Sequence, residues 1–539
     1  MSSIRFHETD IRLPRRSQGL TTKTTVAAAA LILAIVGAAD GCSSSTSGGA
    51  AVVPIPQQAG SASVQQFIGN MAVPRSVAAP SIPSNPFLGQ GSWSNVHNDT
   101  YMSDTYSSAG PLGQNPTVLS TWLGNDRDQV ALVVGMTWDS SGRIVAGAIK
   151  PNSATNTTRV QLTLLDPVTL QTLATYDLPE ETMASATDFR PAGTYFYTDK
   201  NDRTVIGTVA RKVWVVSHSG SSFTLDNQFD LTGAIPDYDS MQALQPDFSG
   251  RLWFTSKGGT NPAGIHKGGV VGVLDLSGGQ VLGTYQMPDE ERIVNSHATD
   301  ETGGAFIAST MAMYRFDTNT SGAPTVTWRE VYDQGTRVKP GQTDIGTGTT
   351  PTLMGTKYVT ITDNADPRMH VMVYRRDKEF AGTRRTCFEP VFGDNAGDTE
   401  NSLVATDTSI VVENNYGYSD PSVTTGGKTT EPGLTRIDLD ANGACHTVWS
   451  NSTLSIPSVV TKMSLQNGLI YSYSKPVGPG QLDPWYFTAV DFVSGEVVYR
   501  QLAGTGALYN NHYAPVYLGP NGTFYVGVLG GIVAMRDTP

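Results

Sequence analysis

Apolar positions along this chain come in short runs, and each run follows a polar turn. The segment TWDSSGRIVAGA (137–148) returns in altered form as QPDFSGRLWFTS (245–256), ATDETGGAFIAS (298–309), TLMGTKYVTITD (352–363), VATDTSIVVENN (404–415), SLQNGLIYSYSK (464–475) and YLGPNGTFYVGV (517–528). Each reads as the end of one strand, a tight Asp/Asn/Gly turn, and then an apolar strand. A repeat of this length marks blades stacked around an axis. Turn glycines are read at Gly142, Gly193, Gly250, Gly303, Gly355, Gly468 and Gly522, and Asp407-Thr408 supplies the turn in the one interval of double length. Eight turns predict eight units, with seven as the alternative count.

Each unit has room for four strands. In the third they are MQALQPD, RLWFTS, GVVGVLDL and VLGTYQM. The last unit has only three (HYAPVYLG, TFYVGVL, GIVAMR), while TVLSTWLG at 117–124 is left over at the front. Pairing the two would close a ring and remove both open edges. No convincing 3.6-residue period follows residue 43, so the expected fold is all-β, an eight-bladed β-propeller. A sandwich array, the structural rival, explains neither the spacing nor the leftover strand.

Size and charge narrow the class. The 539 residues carry a net charge of -12, and only 16% are charged. Abundant Gly (56) and Pro (31) suit many short strands and turns. No basic stripe with interleaved aromatics appears, which argues against nucleic acid as a partner. The expected partner is a small molecule, and the chain is read as a monomer.

The N-terminus reads as a targeting segment. Arg5, Arg12, Arg15, Arg16 and Lys23 precede the apolar run Val26–Ala39. That run is shorter than the ~20 residues needed to span a bilayer, so residues 1–41 are read as a signal peptide. Cys42 in Ala39-Asp40-Gly41-Cys42 resembles a bacterial lipobox cysteine, the alternative being ordinary cleavage after Ala38 or Ala39. Lipidation would place the protein in the cell envelope, anchored to a membrane through Cys42. Residues 42–90, rich in Ser, Gly, Ala, Pro and Gln, read as a flexible tether. Residues 91–114 read as a lead-in packing on the propeller (115–539), and His97 in HNDTY could fold over its funnel. Cys387 and Cys445 fall near the outer strands of adjacent units and are either a disulfide or two buried thiols.

Propeller geometry brings the starts of inner strands, and the loops after second strands, to one face around the channel. Those positions are polar here. Inner-strand starts carry Asn295 and His297, Thr349 and Thr350, Glu400 and Asn401, Lys462, and Asn511 and His512; loops carry Lys257, Asp363 to Asp366, Glu413 to Asn415, and Lys475. Such a funnel is the default ligand site. Glu400, Asp363, Asn364, Glu413 and Asn414 form an oxygen-rich set able to hold calcium or magnesium; alternatively the Asn and Asp side chains cap turns, and Lys462 balances the paired glutamates in place of a metal. His297 and His512 are candidate acid–base groups, each with the alternative of a hydrogen bond across the channel mouth.

Other signals are missing. There is no vicinal Cys pair and no tryptophan-docking repeat, so no quinone is expected. There is no G-x-S-x-G elbow and no zinc spacing. The Gly-rich stretches are turns that precede no helix, so neither nicotinamide nor flavin is expected.

The repeats over residues 112–539 resemble the broad group of secreted bacterial propellers that includes the gluconolactonase-like and quinoprotein-like families. In the former, a Glu at an inner-strand start and Asn and Asp residues of other blades bind a divalent metal. Glu400 is similar to that Glu, with Asp363, Asn364 and Asn414 in the place of the others, although those rings have six blades. The expected function is that of an exported, lipid-anchored propeller binding a small organic ligand in its funnel; its sharper form is a metal-assisted hydrolase or lyase in which Glu400 and Asp363 hold the cation, His297 or His512 moves protons and Lys462 orients an anionic group. The rival is a non-catalytic envelope scaffold or protein-binding propeller.

Overall fold

The computed structural model describes residues 51–124, 130–152, 154–182 and 192–539. The expected signal peptide, Cys42 and the first part of the tether lie outside the described residues. Among the described residues, eight blades of antiparallel strands follow one another around a central channel, with the two-stranded ribbon Gly259–Thr260 and His266–Lys267 beside them. The first blade is Leu132–Trp138, Ile144–Asn152, Thr157–Leu165 and Thr172–Asp177, with the short Glu181–Thr182 beside its third strand. The third is Met241–Pro246, Arg251–Ser256, Val270–Asp275 and Gln280–Gln286, and the other blades repeat this order. In the eighth, Val516–Leu518, Phe524–Val528 and Gly531–Arg536 are completed by Thr117–Trp122, which pairs antiparallel with Gly531–Arg536. The leftover front strand therefore closes the ring.

Burial follows strand position. Second strands such as Ala305–Ala308, Tyr358–Thr362 and Phe524–Val528 are buried along their whole length, because a neighbouring blade covers each face. Outer strands such as Phe223–Asp230 and Gln280–Gln286 are mostly exposed or half-buried. The core thus lies between blades, as where Phe524 of the eighth meets Tyr471 and Phe487 of the seventh. Gly527 permits the contact between last and first blades: a methyl there would sit 1.9 Å from the Val133 carbonyl oxygen.

The turns carry a shared chemistry. Asp139 Oδ1 accepts from the amides of Ser141 and Arg143, and Asp247 Oδ1 does the same for Ser249 and Arg251, while Gly142 and Gly250 take the left-handed position at φ 80° and 85°. Gly193 does not belong to this set. The turn of the second blade is Asp199 to Arg203, between Tyr197–Thr198 and Thr204–Gly207, and Asp202 at φ 59° stands where other blades have glycine. Asp tolerates that conformation better than most side chains, which hides the repeat from a glycine-based reading. The outer strands of the fifth and sixth blades are clasped by a disulfide between Cys387 and Cys445.

The described part of the expected tether packs against the propeller instead of leaving it. Phe67–Gly69 adds a strand to the edge of Val497–Thr505. Ile55 is buried, Arg75 pairs with Asp491 at 2.6 Å, and Leu88 bridges to Asp199 of the second blade. Apolar residues spaced among the Pro, Ser and Gln provide the anchors that composition alone conceals.

Candidate functional site

The lead-in does more than pack on the outside. From Ser94 to Tyr106 it runs around the channel and bonds blade after blade. Ser94 O accepts from Thr198 N at 2.7 Å, Thr100 O from Thr299 N at 2.9 Å, Tyr101 O from Leu353 N at 2.8 Å, Ser103 O from Ala405 N at 3.0 Å, and Asp104 O from Met463 N at 3.0 Å. Thr105–Tyr106 then pairs parallel with Lys462–Ser464. The segment is a plug. Its path needs left-handed backbone at Asn98, Met102 and Asp104 (φ 76°, 55° and 55°), a conformation held only where surroundings enforce it.

Above the plug is a cavity of about 320 Å³. All eight blades reach it, for example through Val134, Tyr195, Met241, Asn295, Val460 and Pro515. Its chemistry comes from His97 of the plug, Gln342 and Thr343 of the loop before the fifth blade, Glu400 and Asn401 entering the sixth, and His512 and Tyr513 entering the eighth. Asn295 Nδ2 and Gln342 Oε1 are buried without a hydrogen-bond partner in the described protein. Both atoms have almost no accessible surface, so neither opens onto the cavity.

His97 is held from behind. Its Nδ1 lies 3.2 Å from both carboxylate oxygens of Asp104. Asp104 is fully buried and also accepts from Lys462 Nζ. Lys462 donates further to Val96 O and Asn98 Oδ1, each at 2.8 Å. With Nδ1 committed to the carboxylate, the ring nitrogen left for the cavity is Nε2, unprotonated in the neutral ring. The ring stacks on Tyr195 at 6.2 Å between centroids.

On the opposite wall, Glu400 accepts from the Thr343 hydroxyl and from Thr343 N at 3.1 Å. Asn415 links it to Glu413: Asn415 Oδ1 accepts from Glu400 N at 2.9 Å, and Asn415 Nδ2 donates to Glu413 Oε2 at 2.8 Å. Glu413 also accepts from Asn401 Nδ2 at 2.6 Å. Its complete burial pushes its pKa up to about 8, opposed by those hydrogen bonds. Asp398 lies behind the same wall, and burial followed by the charge of Glu400 raises its pKa well above the usual carboxylate range.

The residues singled out from sequence meet different fates. His512 lines the cavity, with Nδ1 3.0 Å from the Tyr418 hydroxyl and a left-handed backbone at φ 40°. His297 does not line it. It is completely buried, neither ring nitrogen has a partner, and burial drives its pKa down to about 3. It stays neutral and out of reach, which removes it as an acid–base candidate. Lys462 points into the channel as expected, but the plug occupies that level, so the ammonium anchors Asp104 and cannot orient a ligand in the funnel. Lys475 turns to Asp483 at 3.3 Å.

The expected cation set is only partly assembled. Asp363 caps the backbone at His370 (2.7 Å to its amide) and meets that ring at 2.9 Å. Asn364 Nδ2 donates to Gln334 O and Arg337 O, and Asn414 Nδ2 donates to Ala396 O and Pro432 O. These three serve as turn caps, while Glu400 and Glu413 do come together. Among the described residues, no group of three or more His, Cys, Asp or Glu is arranged to hold a metal ion. Sequence reasoning passed over Asp104 and Asp398, which belong to no repeated pattern and gain meaning only from what lies against them.

No family model matches the chain. An uncharacterized protein of Archaeoglobus fulgidus is 28% identical over 274 residues, covering 46% of this chain and 52% of that protein, so the chain spans about half the length of the curated relative it matches. Among solved structures, a streptogramin B lyase aligns at 10% identity over 79% of this chain and 98% of its own, with a TM-score of 0.37. Sqt1 from Chaetomium thermophilum aligns at 11% identity over 85% and 100%, also with a TM-score of 0.37. A luciferin-regenerating enzyme aligns at 10% identity over 56% and 88%, with a TM-score of 0.29. At these scores the alignments assign this chain neither an activity nor a ligand.

Proposed function

We propose that the plugged funnel binds a small organic molecule and that His97 accepts a proton from it. The observation that carries this reading is the buried chain Lys462–Asp104–His97, which ends on a ring nitrogen at the floor of a cavity walled by all eight blades. A carboxylate on Nδ1 fixes the tautomer and stabilises the imidazolium formed when Nε2 takes a proton, the arrangement a general base needs. Glu400 and His512, on the surrounding wall, supply polar contacts that orient the ligand. The cavity volume falls within the range of small-molecule sites.

A thermal-shift screen with small acids, amines, lactones and sugars tests the reading. A ligand should raise the melting temperature of the native protein and lose its effect when Val460→Trp fills the cavity. His97→Gln should retain the shift and abolish turnover of that compound. A shift that persists in Val460→Trp would refute the site, and turnover that persists in His97→Gln would refute the base.

A further inference from the structure

On the far side of the plug from the funnel, the channel holds a second cavity, of about 540 Å³. Its inner wall is the plug, through Asp99, Thr100 and Tyr101. The turns of the fifth and sixth blades close its sides, with Lys357, Asp407 and Asp440. Residues 79–85 pass over it as a strap.

The inner wall is fixed and the strap is free. The Tyr101 hydroxyl donates to Glu301 Oε2 at 2.5 Å and accepts from buried Arg376 at 3.0 Å. Asp99 Oδ1 accepts from the amides of Tyr101 and Ser103, at 2.9 and 3.3 Å, and its Oδ2 accepts from the Ser103 hydroxyl at 2.6 Å. The strap is held only at its two ends. The amides of Arg75 and Val77 donate to Asn467 O and Leu465 O of the seventh blade, each at 2.8 Å. Asn85 Nδ2 donates to Pro246 O of the third blade at 3.1 Å, and Leu88 bridges to the second. Between these anchors, residues 78–84 make no hydrogen bond among the described residues. Pro80 and Pro83 stiffen the stretch without adding donors.

The lining points to a class of molecule. It is largely apolar, through Ile82, Leu88, Leu353, Met354, Leu439 and Leu465. Lys357 stands among the side walls with Asp407 and Asp440, so both signs of charge are present and neither is selected. Asp99 is half-buried at the inner wall. Burial pushes its pKa up to about 6, and Asp104 and Lys462 act on it through their charges. A carboxylate offers about four acceptor positions, and the plug fills three of those on Asp99. One stays available to a donor in the cavity. An apolar body gains by filling such a space, whereas a charged group among these side chains loses its water without a dedicated partner.

We propose that this cavity is a second binding site, independent of the funnel, for an uncharged amphipathic molecule. Its apolar body lies under the strap, and its hydroxyl or amide N–H donates to Asp99. The strap settles onto the bound molecule, because no bond to the blades holds residues 78–84 in one position.

Calorimetry and hydrogen exchange on the whole protein test the proposal with matched probes: an alcohol, an amine and a carboxylate, each on a naphthalene and on an octyl body. The alcohols should bind. Ala79→Trp and Ser84→Trp crowd the cavity from the strap and should weaken them roughly tenfold or more. Both positions lie outside every strand, so these variants should melt with the native protein. Val460→Trp, in the funnel, should leave the affinity unchanged. The amides of residues 78, 79, 81, 82 and 84 should exchange more slowly in the complex. Tighter binding of the amines or carboxylates overturns the ligand class. Binding that is lost in Val460→Trp and kept in both strap variants places the molecule in the funnel and overturns the second site. Strap exchange that the alcohols leave unchanged, or silence in every arm, overturns it as well.

Discussion

Two buried polar clusters face each other across one channel, and they are built on opposite terms. In the plug, Asp104 is answered by Lys462 and His97, and Lys462 Nζ has three acceptors. In the wall, Asp398 has no donor and Glu413 is met only by uncharged groups. The first cluster is complete without help and fixes a side chain in place. The second leaves a carboxylate without a hydrogen-bond donor among the described residues, with Lys339 and Arg337 acting on it only through their charge. Position on an inner strand does not separate them; what lies opposite each charge does.

The largest expected effect comes from breaking the complete cluster. Lys462→Met leaves Asp104 buried without its cation, and removing one partner of a buried pair typically costs about 3–5 kcal/mol. Urea unfolding should show that loss. Asp398→Asn should cost far less, or stabilise, because it removes a buried carboxylate to which no described residue donates a hydrogen bond and on which the positive groups Lys339 and Arg337 act only through their charge. Equal losses in the two variants would erase the distinction.

Titration gives a smaller and pH-dependent contrast. The pKa of Glu413 is raised in the folded state, so its contribution is present below the unfolded value near 4.5 and is lost as pH rises towards about 8. The pKa of His297 is depressed, so its contribution is present above 6.5 and is lost as pH falls towards about 3. Between pH 4.5 and 6.5 the two slopes oppose each other. The stability difference between the native protein and His297→Phe should be flat above pH 7 and should shift in favour of the variant as pH falls. The difference for Glu413→Gln should be flat below pH 4.5 and should shift in favour of the variant as pH climbs to about 8. Unfolding midpoints measured from pH 4 to 9 read both.

The ring was legible because its signal is repeated. Turn, apolar strand and spacing recur, and the unpaired strand at 117–124 met the three-stranded last blade. Where Asp202 replaces glycine, the same turn was misplaced to Gly193. The site was legible only as a location. Glu400 and His512 reach the cavity because inner-strand starts do so in any propeller. Lys462 and His297 share that placement yet never meet a ligand, because a segment from outside the repeats fills the channel at the level of Lys462 and packing seals His297. His97 and Asp104 come from that segment, where no periodicity says which side chain faces which. A plug threaded through a ring is a tertiary fact, written in contacts between residues hundreds of positions apart.

Asp104 holds His97 at Nδ1 and leaves Nε2 as the ring nitrogen for the funnel. Nitrogen-15 NMR of histidine-labelled protein, with the His97 signals identified by their loss in His97→Gln, tests it most directly. The expected spectrum shows a protonated Nδ1 and an unprotonated Nε2 that shifts when a ligand fills the cavity. A proton on Nε2 in the neutral ring, or a signal indifferent to ligand, would contradict the account.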